Sequence, residues 1–236
     1  HFNWEKKCLK TADLVIVTSP SLKTTYSKIN PSTHLITNGF DTVKDTINSK
    51  EFEIMYSGVM KSSQNPKMLW KTLYNISNTN KSFKNDFKLT LIGSFDKSIH
   101  QNKHLKKLKE NVIFKDYISK DLLSKNLSTA KVFILCDINQ PKGGNIIPGK
   151  FFHYMSYKIP IIAFSSKNSD TSNIVNETKC GNVFDFSNEI DLKNHILELY
   201  SNFKNGSYLV KPIEIKKYKY SSLSSELESL IKKTID

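Results

Sequence analysis

Short runs of β-branched and apolar residues recur along this chain, and each is followed by a stretch with the periodicity of a helix. Val132–Cys136 and Pro160–Phe164 are typical, because their apolar residues do not alternate with polar ones. Strands buried on both faces are characteristic of parallel sheets that helices cover on two sides. Alternating strands and helices are then joined by right-handed crossovers. The sequence therefore predicts a doubly wound, Rossmann-like α/β sheet.

The predicted elements extend over most of the 236 residues, and the Asn38-Gly39 pair, followed by a polar stretch, indicates a boundary near residue 40. We predict strands at Leu14–Thr18, Leu35–Thr37, Phe52–Tyr56, Lys88–Ile92, Val112–Phe114, Val132–Cys136, Pro160–Phe164 and Asn182–Phe184. We predict helices at Asn3–Lys10, Pro20–Lys28, Pro66–Ser77, Lys97–Glu110, Lys120–Thr129, Pro148–Tyr157, Thr171–Glu177, Glu189–Phe203 and Ser222–Lys233.

The chain has 35 basic and 22 acidic residues, a formal net charge of +13, and every basic residue is lysine. Without arginine, any phosphate contact must use lysine ammonium groups or backbone N–H groups. The lysine-rich segments Lys103–Lys109 and Lys216–Tyr220 favour one alternative function, a non-catalytic basic module that contacts nucleic acid or an anionic membrane surface. No helix-turn-helix, RNA-recognition or zinc-finger pattern accompanies them, so we expect no nucleic acid partner.

The cysteines and histidines do not predict a metal site. Cys8, Cys136 and Cys180 are widely spaced and odd in number, which favours a reducing cytoplasm over a disulfide framework or a zinc site. His100 and His104 have metal-ligand spacing on a predicted helix, but neither acidic nor cysteine partners accompany them among the surrounding lysines. We therefore predict a solvated helix face there. No apolar run is long enough to cross a bilayer, and residues 1–10 show no signal peptide.

Ligands of open parallel sheets bind outside the carboxyl ends of the strands, which directs attention to the loops at those ends. A predicted strand runs into Ser57-Gly58, with Lys61 and Lys67 beyond it. A glycine at a strand end lets a ligand approach the backbone, and a nearby lysine can neutralise a phosphate. Strand-end glycines and lysines are common in this chain, so the pattern is also compatible with a plain connection.

The segment Asn145–Phe164 has a Pro-Gly pair that opens an aromatic-rich helix, followed by an apolar strand. The first turn of a helix has free N–H groups and a positive dipole end, and both favour anions such as phosphate. The preceding Gly143-Gly144 pair permits close approach of a diphosphate, or is a flexible connector. Lys150 and His153 are three residues apart and therefore share one helix face.

Residues 148–164, P-G-K-F-F-H-Y-M-S-Y-K-I-P-I-I-A-F, resemble the P-G-K-x-F-E-Y-x-A-x-G-x-P-I-x-A pattern of the family 4 glycosyltransferases, which have the two-lobed GT-B fold. Further segments resemble that family in the expected order along nearly the whole chain. Ala12–Ser19 resembles its A-D-x-V-x-x-x-S strand, Thr37–Asp41 its N-G-x-D hinge, Ile54–Gly58 its Y-x-G strand and Leu91–Gly93 its second donor-lobe strand.

The resemblance implies three parts. Residues 1–40 correspond to the terminal β-α-β piece of an acceptor lobe, most of which is absent, and residues 41–210 to the Rossmann-like lobe that binds a nucleotide-sugar. Residues 211–236 correspond to the segment and helix that cross back to the acceptor lobe. We expect the first residue to be the cut edge of a longer protein.

The resemblance also assigns roles to residues. It places Lys61 and Gly58 at the diphosphate, and His153 and Asn145 where relatives have the glutamates that hold the ribose and the transferred sugar. An imidazole or an amide can still bond to hydroxyl groups, although both acidic positions have changed. The predicted catalytic residues are Lys61, Asn145 and His153, and the predicted donor-binding residues are Ser57, Gly58, Lys67, Gly93, Tyr117, Ile118, Gly144, Ile146, Ile147 and Lys150.

The function implied by the resemblance is retaining, metal-independent sugar transfer from a UDP- or GDP-sugar to a polysaccharide or lipid-linked acceptor. No cofactor is expected, because the nucleotide-sugar is a substrate and the leaving diphosphate is stabilised by N–H groups and cations. The isolated chain is expected to bind a nucleotide but to transfer little sugar. The expected location is the cytoplasm, with peripheral contact at the inner face of an anionic membrane.

Overall fold

The computed structural model describes residues 2–138 and 146–235. Its strands are Val15–Val17 (β1), Thr33–Leu35 (β2), Phe52–Met60 (β3), Phe87–Phe95 (β4), Val112–Lys115 (β5), Val132–Cys136 (β6), Ile161–Phe164 (β7) and Gly181–Phe184 (β8). Its helices are Phe2–Thr11 (α1), Pro20–Tyr26 (α2), Lys67–Thr79 (α3), Lys81–Asp86 (α4), Lys97–His100 (α5), Lys103–Lys107 (α6), Lys120–Leu127 (α7), Gly149–Met155 (α8), Asp170–Thr178 (α9), Glu189–Lys204 (α10) and Tyr220–Ile235 (α11), with 3₁₀ turns at Ser62–Gln64 and Ile215–Tyr218.

Six strands form one parallel sheet in the order β5-β4-β3-β6-β7-β8, and β1 and β2 form a separate parallel pair. Counted from β3, the order of the large sheet is 3-2-1-4-5-6, which is the order of doubly wound nucleotide-binding domains. The predicted fold class is therefore confirmed. From β3 the chain adds strands towards one edge of the sheet, and from β6 it adds strands towards the opposite edge. A ligand crevice is therefore expected outside the carboxyl ends of β3 and β6.

Alternate residues of the strands enter two hydrophobic layers, one on each face of the sheet. On β3, Ile54 and Tyr56 face the layer covered by α3 and α10, whereas Met55 faces the layer covered by α8 and α9. Strands covered on both sides explain why the sequence shows unbroken apolar runs instead of alternation. The aromatic residues of α8 are almost all buried, which fixes this helix firmly beside the crevice.

Several predicted elements differ from the structure. The continuous helix predicted at Lys97–Glu110 is wrong, because Asn102 interrupts it and its Oδ1 accepts hydrogen bonds from the His104 and Leu105 N–H groups to cap a new helix. The second strand lies two residues earlier than predicted, and α4, capped by Asn80, was not predicted. Local side-chain caps of this kind compete with hydrophobic periodicity.

The predicted limits of the three parts, near residues 40 and 210, stay predictions. The segments on either side of the large sheet are joined where Phe40 pairs with the C-terminal part of the chain. The Phe40 N–H donates to the Tyr218 carbonyl at 3.0 Å, and the Tyr220 N–H donates to the Phe40 carbonyl at 2.9 Å. The chain around Phe40 and the segment before α11 therefore pass side by side at this point.

Candidate functional site

Two glycines lie side by side at the carboxyl end of the sheet. Gly58 of β3 pairs with Gly93 of β4, and both have positive φ angles, 112° and 124°. A side chain on Gly93 would overlap the Gly58 carbonyl group, and a Cβ on Gly58 would lie 2.9 Å from Lys150 Nζ. The strands continue through both glycines to Met60 and Phe95, so the prediction that Gly58 follows the end of its strand is wrong. Gly58 therefore makes room for the Lys150 ammonium group, and Gly93 lets β3 and β4 approach closely.

Lys150, on the first turn of α8, reaches back across the end of β3. Its Nζ donates to Tyr56 Oη at 2.7 Å and lies 4.0 Å from the centre of the Tyr56 ring. Tyr56 Oη in turn donates to the Val59 carbonyl at 2.5 Å. No ion pair to Lys150 occurs within residues 2–138 and 146–235. The half-buried ammonium is thus positioned by a phenol and has no neutralising carboxylate in that part of the chain.

The burial of Lys150 has an electrostatic consequence. Loss of hydration disfavours the charged form and lowers the pKa of its ammonium group to about 8. A partly dehydrated cation without an acidic partner is stabilised when an anion binds beside it. The position of Lys150 therefore favours an anionic ligand over Gly58.

Tyr154 fixes α8 against β3. Its buried Oη accepts the Ser57 N–H at 2.7 Å and lies 3.0 Å from Ser57 Oγ, while its ring stacks on Phe133 at 4.3 Å. Burial raises the pKa of the Tyr154 phenol to about 12, so it stays protonated. These contacts hold the face of α8 that presents Lys150 and His153 towards the crevice.

His153 is half-buried one turn along α8 from Lys150. Burial lowers the pKa of its imidazole, the nearby Lys44 and Lys120 lower it further, and Asp41 opposes the shift. The imidazole is therefore neutral at pH 7, with one ring nitrogen that donates and one that accepts. It can bond to hydroxyl groups without adding charge.

Two adjacent cavities meet at Lys150 and His153. The inner cavity, of about 240 Å³, lies over the carboxyl ends of β3 and β4 and has an apolar wall formed by Ile92, Ile118 and Leu123. The outer cavity, of about 380 Å³, lies between the segment at residues 39–44, α7 and α8. Of the predicted site residues, the inner cavity brings together Ser57, Gly58, Gly93, Tyr117, Ile118, Lys150 and His153.

Other predicted residues are placed elsewhere or are not described. Lys61 precedes the 3₁₀ turn at Ser62–Gln64 and Lys67 begins α3, and neither lines the two cavities. Ile147 is buried, whereas Ile146 is 67% exposed, and neither contributes to the cavity walls. Gly144 and Asn145 lie outside the described residues, so their predicted roles stay predictions. We predicted Pro148 as the first residue of this helix. It is instead the N-cap residue, with extended backbone, and α8 begins at Gly149.

The residues that position the site were not predicted as site residues. Tyr56 and Tyr154 were quoted within motifs but received no role, and Lys44 and Lys120, which approach His153, received none. Tyr56 precedes Gly58 by two residues on one strand, and this period-two spacing was the available signal for a contact near Gly58.

Asp137 and the histidine pair His100 and His104 do not line the crevice. Asp137 follows β6, but its buried carboxylate accepts Ser165 Oγ at 2.5 Å in the interior, and burial raises the pKa of that carboxyl group. His100 ends α5 whereas His104 lies on α6, so the shared helix predicted for them is wrong. Within the described ranges no group of three or more His, Cys, Asp or Glu residues could hold a metal ion.

The strand order and the cation at the switch point define a doubly wound domain with an anion-binding crevice. The family model for glycosyl transferases group 1 matches residues 51–202, and the chain belongs to that family. This match covers the large sheet and the residues of the inner cavity. A search among curated proteins found no match.

Solved structures of GT-B glycosyltransferases have the same fold. Anabaena HepE in complex with UDP-glucose has a TM-score of 0.73 at 13% identity, over 96% of this chain and 65% of that one. Sucrose-phosphate synthase from Thermosynechococcus elongatus has a TM-score of 0.72 at 20% identity, over 98% and 60% of the two chains. TarM of S. aureus has a TM-score of 0.68 at 18% identity, over 97% and 45%. The chain spans about half to two thirds of the length of these proteins. Its large sheet has the fold of the Rossmann-like lobe of GT-B glycosyltransferases.

Proposed function

We propose that this chain is the donor-binding part of a glycosyltransferase that transfers a sugar from a nucleoside diphosphate sugar. The observation that carries the proposal is the Lys150 ammonium group, which is half-buried over Gly58 and lacks a carboxylate partner in the described parts of the chain. A diphosphate would supply the missing negative charge. The family match and the UDP-glucose complex of the similar HepE support this choice of anion.

The inner cavity accommodates the rest of a nucleotide in a consistent order. With the diphosphate at Lys150 and Gly58, the ribose hydroxyl groups meet the neutral His153 imidazole. The base lies against the apolar wall near Ile118, where the exposed backbone at Tyr117-Ile118 can bond to its edge. The proposal places the transferred sugar near Asn145, because the resemblance assigns that residue to the sugar.

The reaction that we infer for the whole protein is retaining and metal-independent, as in the family 4 enzymes that the sequence resembles. The chemical step separates the sugar from a diphosphate, and negative charge grows on the leaving oxygen. The ammonium group of Lys150 is positioned by Tyr56 before the reaction and stabilises that charge without reorganisation. Lys61 is the second cation that the resemblance assigns to this role.

The acceptor that we propose is a saccharide or a lipid-linked saccharide, reached from the cytoplasmic side of an anionic membrane. The net charge of +13 favours such a surface, and the similar WaaG is described as a glycosyltransferase involved in lipopolysaccharide biosynthesis. None of the helices in the described part of the chain is long and apolar enough to cross a membrane. Because the net charge is +13, co-sedimentation with liposomes should require anionic lipid and decline with added salt, whereas equal binding to neutral liposomes would contradict this proposal.

Calorimetric titration with UDP, GDP and ADP tests the proposed function. We expect one of the three nucleotides to bind with a micromolar dissociation constant. Replacing His153 with alanine should weaken that binding by about 3- to 10-fold, because a hydrogen bond to the ribose is lost. The control is His34→Ala, which removes a histidine of β2 that lines neither cavity. If none of the nucleotides binds, the proposed function is wrong.

Nucleotide binding is expected to weaken in alkaline solution. Because burial lowers the Lys150 pKa to about 8 in the free protein, Lys150 is charged at lower pH and loses its proton as the pH rises through that value. The dissociation constant of UDP should be nearly constant around pH 7 and should rise above about pH 8 towards a limit of tenfold per pH unit. The lowered His153 pKa keeps the imidazole neutral across this range, so it does not contribute. The Lys150→Met variant should show a flat profile, and an equally steep profile in that variant would contradict the assignment.

A further inference from the structure

A third cavity, of about 320 Å³, lies at the outer edge of the sheet, beyond the donor crevice. It is bounded by the last residues of β4, by the end of α5 and by the loop after β5. Gly93 and Tyr117 line both this cavity and the inner cavity, so the two cavities are adjacent and share part of their walls. We refer to it as the edge cavity.

The walls of the edge cavity are aromatic. The Phe114 ring lies 4.6 Å from the His100 ring and 5.6 Å from the Phe95 ring. Phe114 of the edge strand β5 is 38% exposed, and Tyr117 in the loop after β5 is 67% exposed. Contiguous exposed aromatic surface costs solvation free energy and is typical of a binding site.

Few polar side chains line the edge cavity. The Asp116 carboxylate and the Ser94 hydroxyl have exposed side chains, and no hydrogen bond of either occurs in the described part of the chain. The one lysine in the wall, Lys115, donates its Nζ to Asn126 Oδ1 at 2.7 Å. The Lys115 ammonium group is therefore already bonded to an amide, and the charged wall group without a hydrogen-bonding partner in the described residues is the Asp116 carboxylate, which disfavours phosphate as the ligand.

A pyranose ring matches this combination of groups. One of its faces carries C–H groups that pack on aromatic rings, and its rim carries hydroxyl groups that donate to a carboxylate and exchange hydrogen bonds with a serine. The wall rings meet at angles of 79° and 36°, so they do not form the two parallel faces that would sandwich a planar base. The proposed nucleoside position is also already supplied by the inner cavity.

We propose that the edge cavity is a saccharide-binding site for an uncharged pyranose, separate from the donor crevice. Tyr117 is the shared wall, so a saccharide chain held at the edge lies next to the nucleotide without displacing it. Binding at the edge cavity requires no nucleotide. Its ligand class is that of the growing glycan or of its product, not of the nucleotide-sugar.

Saturation-transfer NMR with methyl glucopyranoside, methyl galactopyranoside and methyl N-acetylglucosaminide tests the site, each measured with and without excess UDP. We expect at least one pyranoside to bind with a dissociation constant on the order of 1 mM, unchanged by UDP. Phe114→Ala and Asp116→Ala should each weaken binding about tenfold or more. The control is Ile113→Ala, which removes the adjacent exposed side chain of β5 that does not line the cavity.

Three outcomes would overturn the proposal: no pyranoside binds, UDP displaces the bound pyranoside, or uridine or adenosine binds in a Phe114-dependent manner. Asp116 is exposed and lies in a loop, so Asp116→Ala remains informative if Phe114→Ala does not fold. UDP binding is measured in the same samples. GDP and ADP binding is measured as well, and the absence of binding by all three nucleotides would contradict the proposed function while leaving the edge cavity intact.

Discussion

Replacing Lys150 with methionine is expected to weaken binding of the preferred nucleoside diphosphate by about 10- to 100-fold, the range for a hydrogen bond to a charged group. Lys150 is the one lysine in the wall of the inner cavity, and its ammonium group is held over Gly58 by Tyr56. Isothermal titration calorimetry of the wild type and the variant measures the difference. Lys103→Met removes an exposed lysine of α6 that lines neither crevice cavity and should leave binding unchanged apart from a small effect of net charge.

The same substitution distinguishes a ligand-binding lysine from a structural one. The ammonium group is dehydrated and has no carboxylate partner in the described residues, so the folded protein gains little from its charge. Lys150→Met should therefore keep or slightly raise the free energy of unfolding in urea. A variant that binds nucleotide normally would contradict the proposed role. A loss of both stability and binding would indicate that Lys150 acts by packing on Tyr56.

The fold could be predicted from the sequence because buried parallel strands and their helices have strong hydrophobic patterns. Strands such as Val132–Cys136 have the predicted limits, since both of their faces are covered by apolar layers. The helix predicted at Lys97–Glu110 failed for a local reason, because the Asn102 side chain caps a second helix within a continuous periodic pattern. Hydrophobic periodicity does not record such competition between side chain and backbone.

The site was predictable only where residues lie on matched motifs. Gly58, Lys150 and His153 line one cavity, and the roles predicted for them stay predictions. The contact between Tyr56 and Lys150 joins residues 94 positions apart and depends on how α8 packs against β3. No pattern along the chain encodes that approach. Lys61 is the opposite case. A motif assigns it a role at the diphosphate, but its side chain does not line the inner cavity.

The close approach of β3 and β4 at the floor of the crevice makes Gly93 a demanding position. Replacing Gly93 with alanine is expected to lower the free energy of unfolding by about 3–6 kcal/mol, the sum of left-handed backbone strain and overpacking against backbone. Its φ angle is 124°, and an added Cβ would overlap the Gly58 carbonyl group, which belongs to a paired strand and cannot rotate away. Urea denaturation followed by circular dichroism measures the change.

Gly206→Ala is the matched control because it separates the two contributions at Gly93. Gly206 also has a positive φ angle, 71°, but a Cβ built there meets no atom of the described structure within 4 Å. It should therefore show the backbone strain alone, about 1 kcal/mol. Since domains of this size have only about 5–15 kcal/mol of stability, Gly93→Ala should also reduce the soluble yield, whereas Gly206→Ala should not. Equal and small losses in the free energy of unfolding of both variants would mean that β3 and β4 do not approach each other closely. That result would also contradict the position of the Lys150 ammonium group over Gly58.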